Sequence, residues 1–150
     1  MPTYRYTFDF PDGLTRAFEV WLEPDTLEMI PDRRERYLFV AEYGGNRVQK
    51  LDLNGDRILL IGGKGSAPGQ LLGPQYLAAD DQGYLYVSDW GNGRVIKYDF
   101  DGNFVLAVGK SSGLPLGGPT GIACREGQLF VADRTGKRIA VFDSSGNSLY

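Results

Sequence analysis

The residues able to do chemistry are few and of limited kinds. The chain of 150 residues contains no His and a single Cys, Cys124. Any acid–base relay or metal site that needs an imidazole is therefore excluded for this chain. Asp80, Asp81 and Asp89 remain as carboxylates that could hold calcium for hydrolysis, although turns and strand ends are a plainer use for them. Asp99-Phe100-Asp101-Gly102-Asn103 has the acid spacing of a calcium loop. Its Gly stands two positions too early and no Glu closes the set, so a hairpin turn fits it better. The Gly-rich stretches from Gly62 to Gln70 and from Gly109 to Pro115 each carry a Lys. A phosphate-binding loop would need Gly at the position of Phe104, and Lys64 is followed by Gly65. No helical pattern follows either loop to present its amides to a phosphate. Cys124, with no His to activate it, reads as a buried small apolar residue. No cofactor or metal is expected.

The elements that carry these residues repeat. Gly83-Tyr84-Leu85-Tyr86-Val87-Ser88-Asp89, then Arg94-Val95 and Asp99-Phe100-Asp101-Gly102, form the middle copy. Before it stand Tyr37-Leu38-Phe39-Val40-Ala41-Glu42, Arg47-Val48 and Asp52-Leu53-Asn54-Gly55. After it come Gln128-Leu129-Phe130-Val131-Ala132-Asp133, Arg138-Ile139 and Asp143-Ser144-Ser145-Gly146. A period in the mid-forties, built of short strands and turn signals, predicts one small antiparallel sheet per copy, the blade of a β-propeller. The apolar runs are nearly unbroken, as expected where a blade is covered on both faces. Each unit should contain an inner strand such as Pro74–Ala79 or Pro119–Cys124, a second strand such as Leu85–Val87, a third such as Arg94–Tyr98 and a fourth such as Phe104–Val108.

The copies resemble the NHL repeat, through lead-ins such as Gly118-Pro119-Thr120-Gly121-Ile122-Ala123 and the Leu-Tyr-Val, Gly91-Asn92-x-Arg and Asp-x-x-Gly segments already quoted. The resemblance covers residues 37–150. The first copy lacks the lead-in, and the middle lead-in reads Gly73-Pro74-Gln75-Tyr76-Leu77-Ala78. The resemblance implies an all-β fold of about three four-stranded propeller blades, at about 37–72, 73–117 and 118–150. It also implies relatives that bind proteins, others that bind RNA, and enzymes such as amidating lyases, antibiotic lyases and lactonases. The lyases depend on His and so are excluded here, while the lactonases, which use acids and Asn around calcium, leave a calcium-dependent hydrolase as the enzymatic alternative.

A non-catalytic binding scaffold is the leading expectation. Turns between second and third strands of successive blades emerge at one end of a propeller, and the residue after the acid is Tyr43, Trp90 and Arg134 in the three copies. Aromatics and Arg are enriched in protein-binding hot spots. Two readings stand for Tyr43 and Trp90: contact residues for a protein or peptide, or covers of the blade ends. Arg47, Arg94 and Arg138 recur identically and are expected to pair with Glu42, Asp89 and Asp133 of the same turns, a structural role. Arg134, Lys137 and Arg138 form a local basic patch that keeps RNA as a second class of partner. Against RNA, the formal charge of -3 lies in residues 1–36 and the repeats are neutral.

Residues 1–36 read as a separate N-terminal hairpin and charged linker. Tyr4–Phe10 and Arg16–Leu22 alternate around Pro11-Asp12-Gly13, which predicts a β-hairpin. Thr26–Ile30 suggests one helical turn capped by Asp25. Pro31-Asp32-Arg33-Arg34-Glu35-Arg36 reads as the boundary. The first thirty residues are similar to the start of a small uncharacterised bacterial domain family, without the Cys-containing segment that follows there, and this implies no activity. No membrane-spanning run or signal-peptide core is evident, which with the lone Cys suggests a cytoplasmic protein. NHL propellers are typically six-bladed, so three units leave open faces. The expected remedies are the hairpin, with Phe8, Phe10 and Trp21, folding over one face, a homodimer completing a six-bladed ring, or a longer parent chain.

Overall fold

The computed structural model describes residues 3–9, 15–21, 26–31, 37–52 and 54–150. Thr3–Asp9 (β1) and Thr15–Trp21 (β2) form an antiparallel hairpin, with Thr3 opposite Trp21. Three sheets follow. The first contains Thr26–Pro31 (β3), Leu38–Glu42 (β4), Arg47–Leu51 (β5) and Arg57–Gly62 (β6). The second contains Pro74–Ala79 (β7), Tyr84–Asp89 (β8), Arg94–Asp99 (β9) and Phe104–Gly109 (β10). The third contains Pro119–Arg125 (β11), Gln128–Asp133 (β12) and Arg138–Asp143 (β13). Strands consecutive in sequence pair antiparallel within each sheet. Beyond β13 the chain turns back, with Ser148 bridged to Phe142 and Leu149 donating to the Val141 carbonyl at 2.8 Å.

One expectation is overturned. Thr26–Ile30 is not a helical turn but strand β3, running with Pro31 antiparallel to β4, Thr26 opposite Glu42 and Pro31 opposite Leu38. The open edge of β4 offers a row of amides and carbonyls, and pairing with it outweighs the local helix preference of Leu27-Glu28-Met29. The strand that the first copy seemed to lack is thus present under a sequence without the Gly-Pro lead-in. Asp25 and residues 32–36 lie outside the described residues.

The sheets stack face to face around two cores. Phe39, Ala41, Val48 and Ile61 of the first blade meet Leu77, Leu85, Val87, Ile96 and Tyr98 of the second. Tyr86, Val95 and Val108 of the second blade meet Leu129, Val131, Ala140 and Phe142 of the third at the equivalent positions. Alternate residues of β8 therefore serve different interfaces, Leu85 and Val87 backward and Tyr86 forward, which is why its sequence runs apolar without a break. Each such aliphatic or aromatic side chain contributes about 1.5–3 kcal/mol by leaving water.

Two buried lysines cross these interfaces. Lys50 of β5 donates to the Phe100 carbonyl at 2.5 Å, with its ammonium 3.9 Å from the centre of the Tyr37 ring. Lys97 of β9 donates to the Ser144 carbonyl at 2.9 Å, over the Tyr84 ring at 4.1 Å. Each ties the third strand of one blade to the strand 3–4 turn of the next. Those turns are set by Asp-x-x-Gly: Asp52, Asp99 and Asp143 accept backbone amides two and four residues on, and Gly55, Gly102 and Gly146 take φ of 83°, 85° and 84°. Only glycine adopts that region without strain. The hairpin-turn reading of Asp99–Asn103 is what the structure shows.

The two ends of the stack differ. Leu38, Val40, Gln49 and Leu51 of the first blade occupy the positions whose counterparts in the second blade pack backward, and they are 0–8% exposed. That backward face is closed within the chain. On the forward face of the third blade, Ile139 is 60% exposed, whereas its counterparts Val48 and Val95 are buried.

Candidate functional site

The strand 2–3 turns are built on a buried acid. Asp89 ends β8 with 0% exposure. One carboxylate oxygen accepts the Leu72 amide at 2.7 Å, and the other accepts Arg94 Nε and Asn92 Nδ2, each at 2.8 Å. Arg94 then reaches the Ala67 and Gln70 carbonyls at 3.1 and 2.8 Å, and Asn92 reaches the Gly65 carbonyl at 2.9 Å. The third blade repeats the device. Asp133 accepts the amides of Gly117, Gly118 and Gly136 at 3.0, 3.0 and 3.2 Å and Arg138 Nε at 3.2 Å, while Arg138 donates to the Pro115 carbonyl. In the first blade Glu42 takes Arg47 on one oxygen and Gln49 on the other. All three Arg therefore clamp their own turns, and Arg94 and Arg138 also hold the preceding inter-blade loops.

These contacts hold the carboxyl of Asp133 below its ordinary range: burial alone would raise it, but the three glycine amides and Arg138 outweigh that cost. Asp99 is lowered in the same balance, burial being outweighed by Asn103 and nearby amides, and Asp143 is lowered chiefly by the Asn147 side chain. A carboxyl whose folded pKa lies below its unfolded one adds stability at pH above the unfolded value and loses it as pH falls through the folded value. The melting temperature should hold near neutrality and drop as pH goes below the ordinary 3.8 of an Asp. Asp133→Asn should flatten part of that acid slope, which a series of thermal melts would measure.

The residues after the acids occupy equivalent places. The Tyr43, Trp90 and Arg134 carbonyls each accept an amide three residues on, from Asn46, Gly93 and Lys137 at 3.3, 3.1 and 3.3 Å. Tyr43 is 39% and Trp90 43% exposed, and Arg134 is exposed. Tyr43 also lies on the lead-in of the next blade, where a Cβ on Gly73 would come within 2.8 Å of its ring. Its ring therefore partly covers a blade junction. Arg134, Lys137 and Arg138 line one shallow hollow of about 600 Å³ together with Thr120, Ala132 and Ile139. The structure thus gathers the basic trio on the third blade and sets Tyr43 and Trp90 on the turns of the first two.

A second hollow, about 420 Å³, lies between the second and third blades, formed by the strand 1–2 turns with Tyr86, Cys124 and Ser144. Cys124 is half-buried and packs against the second core rather than being fully enclosed. Burial and the neighbouring Asp80 push the Tyr86 hydroxyl well above its ordinary pKa, so it acts as a hydrogen-bond donor. Asp80 itself accepts the Gln82 and Tyr84 amides, each at 2.9 Å. Among the described residues no three His, Cys, Asp or Glu converge to hold a metal, and no helix is long and apolar enough to cross a membrane.

Sequence reasoning missed the lead-in loops as partners of the acids. Their signal is the pair Leu71-Leu72-Gly73-Pro74 and Leu116-Gly117-Gly118-Pro119, each opening on a buried Leu. It also missed the lysines, which stand two residues before Asp52 and Asp99 in both copies.

Stacked antiparallel sheets of four, four and three strands, with turn faces at either end, define a β-propeller-type fold. Neither a known family profile nor any curated protein matches the chain. Among solved structures it is similar to virginiamycin B lyase from Staphylococcus aureus, with a TM-score of 0.67 at 15% identity over 96% of this chain and 47% of that one. It is similar also to the WD40 repeats of RRP9, with a TM-score of 0.71 at 14% identity over 87% and 39%. A structure of a nidogen/laminin complex gives 0.68 at 14% identity over 91% and 50%. The chain spans less than two thirds of the length of each of these structures, and at such identities the likeness is one of fold.

Proposed function

We propose that the chain is a non-catalytic scaffold of the NHL-repeat type that binds a protein or peptide across its strand 2–3 turns. The observation that carries this reading is the recurrence of a large exposed side chain, Tyr43, Trp90 and Arg134, at one position of three consecutive blades, each turn fixed from beneath by a buried acid. Rigid aromatics and Arg offer contact area at low cost in side-chain entropy, and the clamped turns pre-organise them. Support at the level of fold comes from propellers that occur as WD40 repeats and in the nidogen/laminin complex.

Replacing Trp90 and Arg134 together by Ala should leave the melting temperature within about 3 °C, since both are surface residues, while abolishing capture of a protein from lysate. A fall of ten degrees or more with capture retained would reassign Trp90 as cover and withdraw the site. The second reading, RNA, rests on Arg134, Lys137 and Arg138 opening into one hollow. It requires an affinity for single-stranded RNA that weakens steeply with salt and is lost when the three are changed.

A further inference from the structure

We propose that the hollow between the second and third blades binds a small organic cation with an aromatic ring, an arylalkylammonium. The hollow measures about 420 Å³, within the range of small-molecule sites. It lies at the end of the sheets formed by the strand 1–2 turns, opposite the strand 2–3 turns that carry Trp90 and Arg134. It is therefore separate from the protein-binding surface proposed above, and the two readings fail independently.

The case for a ring comes from comparing the two blade junctions. At the first, the Phe39 and Phe100 rings meet with their centres 5.1 Å apart and their planes tilted by 46°. A hollow of about 320 Å³ lies there too, lined by Lys50, Tyr84 and Phe100 but, among the described residues, not by Phe39. The Phe100 ring stands in between. At the second junction the repeat puts Tyr86 in the place of Phe39 and Ser144 in the place of Phe100. One ring of the pair is missing, and the hollow there reaches Tyr86. A ligand ring against Tyr86 restores the aromatic contact that the first junction makes within the chain.

The case for a cation comes from the lining. Asp80, Asp81 and Glu126 face Arg125, which is itself paired with Glu126 at 3.5 Å. Asp80 also interacts with the Tyr86 hydroxyl. With its proton turned to that carboxylate, the phenol oxygen offers lone pairs to an N–H donor. The Lys97 ammonium lies 5.6 Å from the centre of the Tyr86 ring, but it is engaged by the Ser144 carbonyl at 2.9 Å. The acids are thus left to the ammonium of the ligand, and an anion would meet like charge.

The test is calorimetric titration of the full chain with phenethylamine, beside the rate at which iodoacetamide alkylates Cys124, the single cysteine, which lines the hollow. The expected result is saturable binding with a Kd of about 1 mM or tighter, in keeping with so few atoms. Alkylation should slow at least about fivefold at saturation as access to the thiol is lost. Benzoate, a ring without the cation, and butylamine, a cation without the ring, should each bind at least about tenfold more weakly. Phe-Gly-Gly is the second probe: if it binds as phenethylamine does, the cation is the amino end of a peptide, and if phenethylamine alone binds, it is a free amine. Ser144→Phe, which supplies the ring present at the first junction, should abolish binding and preserve the melting temperature. Should that variant not fold by circular dichroism, Asp81→Lys, at an exposed residue of the rim, should weaken binding at least about fivefold. Three results would overturn the proposal: neither probe binding up to about 10 mM, binding indifferent to the folded variant, or benzoate binding as tightly as phenethylamine.

Discussion

Asp89→Ala is expected to cost about 3–5 kcal/mol of folding stability, the range for removing one partner of a buried ion pair. The carboxylate is fully enclosed and takes the Leu72 amide, Asn92 and Arg94 at once. Without it, Arg94 has only the Ala67 and Gln70 carbonyls, and an amide in the lead-in loop is left bare. That loop joins the first blade to the second, so the damage spreads beyond one turn. Chemical denaturation would show a lower midpoint. Asp89→Asn retains the size and one acceptor and should recover part of the loss. A change below about 1 kcal/mol for Asp89→Ala, the scale of an exposed pair, would show that the cluster contributes little.

Removing residues 1–21 should be nearly as damaging. Leu38, Val40 and Leu51 face away from the second blade and are still buried. Among the described strands, those of the β1–β2 hairpin lie outside the three sheets. If it covers those residues, its loss returns three aliphatic side chains to water, at about 1.5–3 kcal/mol each. Against a typical total of about 5–15 kcal/mol, such a chain should aggregate or melt more than ten degrees lower by light scattering and thermal melts. The cut leaves β3 in place, so the effect would not come from the first sheet losing a strand. A shortened chain that melts within about three degrees of the full one would assign the cover to another segment.

The blades were legible because their instructions are local and repeated. Asp-x-x-Gly names a turn by the backbone angle that Gly permits, and the apolar runs state that both faces of a sheet are covered. Strand β3 was not legible, since Thr26–Pro31 becomes a strand only through the waiting edge of β4, a contact that no pattern inside the segment reports. The acid–Arg pairs of the turns could be anticipated from recurrence, but not their reach into the preceding loop. That reach depends on which carbonyls the stack brings beneath Arg94 and Arg138. Tyr43 and Trp90 look alike in sequence, yet only the packed structure shows Tyr43 lying over Gly73 of the next blade.

The lysines that pass from one blade to the next give the stack a direction. Lys50 and Lys97 each send their charge forward, and no residue at 141 does so. Cohesion in this chain therefore resides in junctions more than in the blades themselves, and a linear array with two such junctions is strongest in the middle. The second blade is gripped from both sides and the third from one. Within the described residues, local opening should therefore cost most at the second blade, which both lysines join to a neighbour, a gradient that amide hydrogen exchange would read.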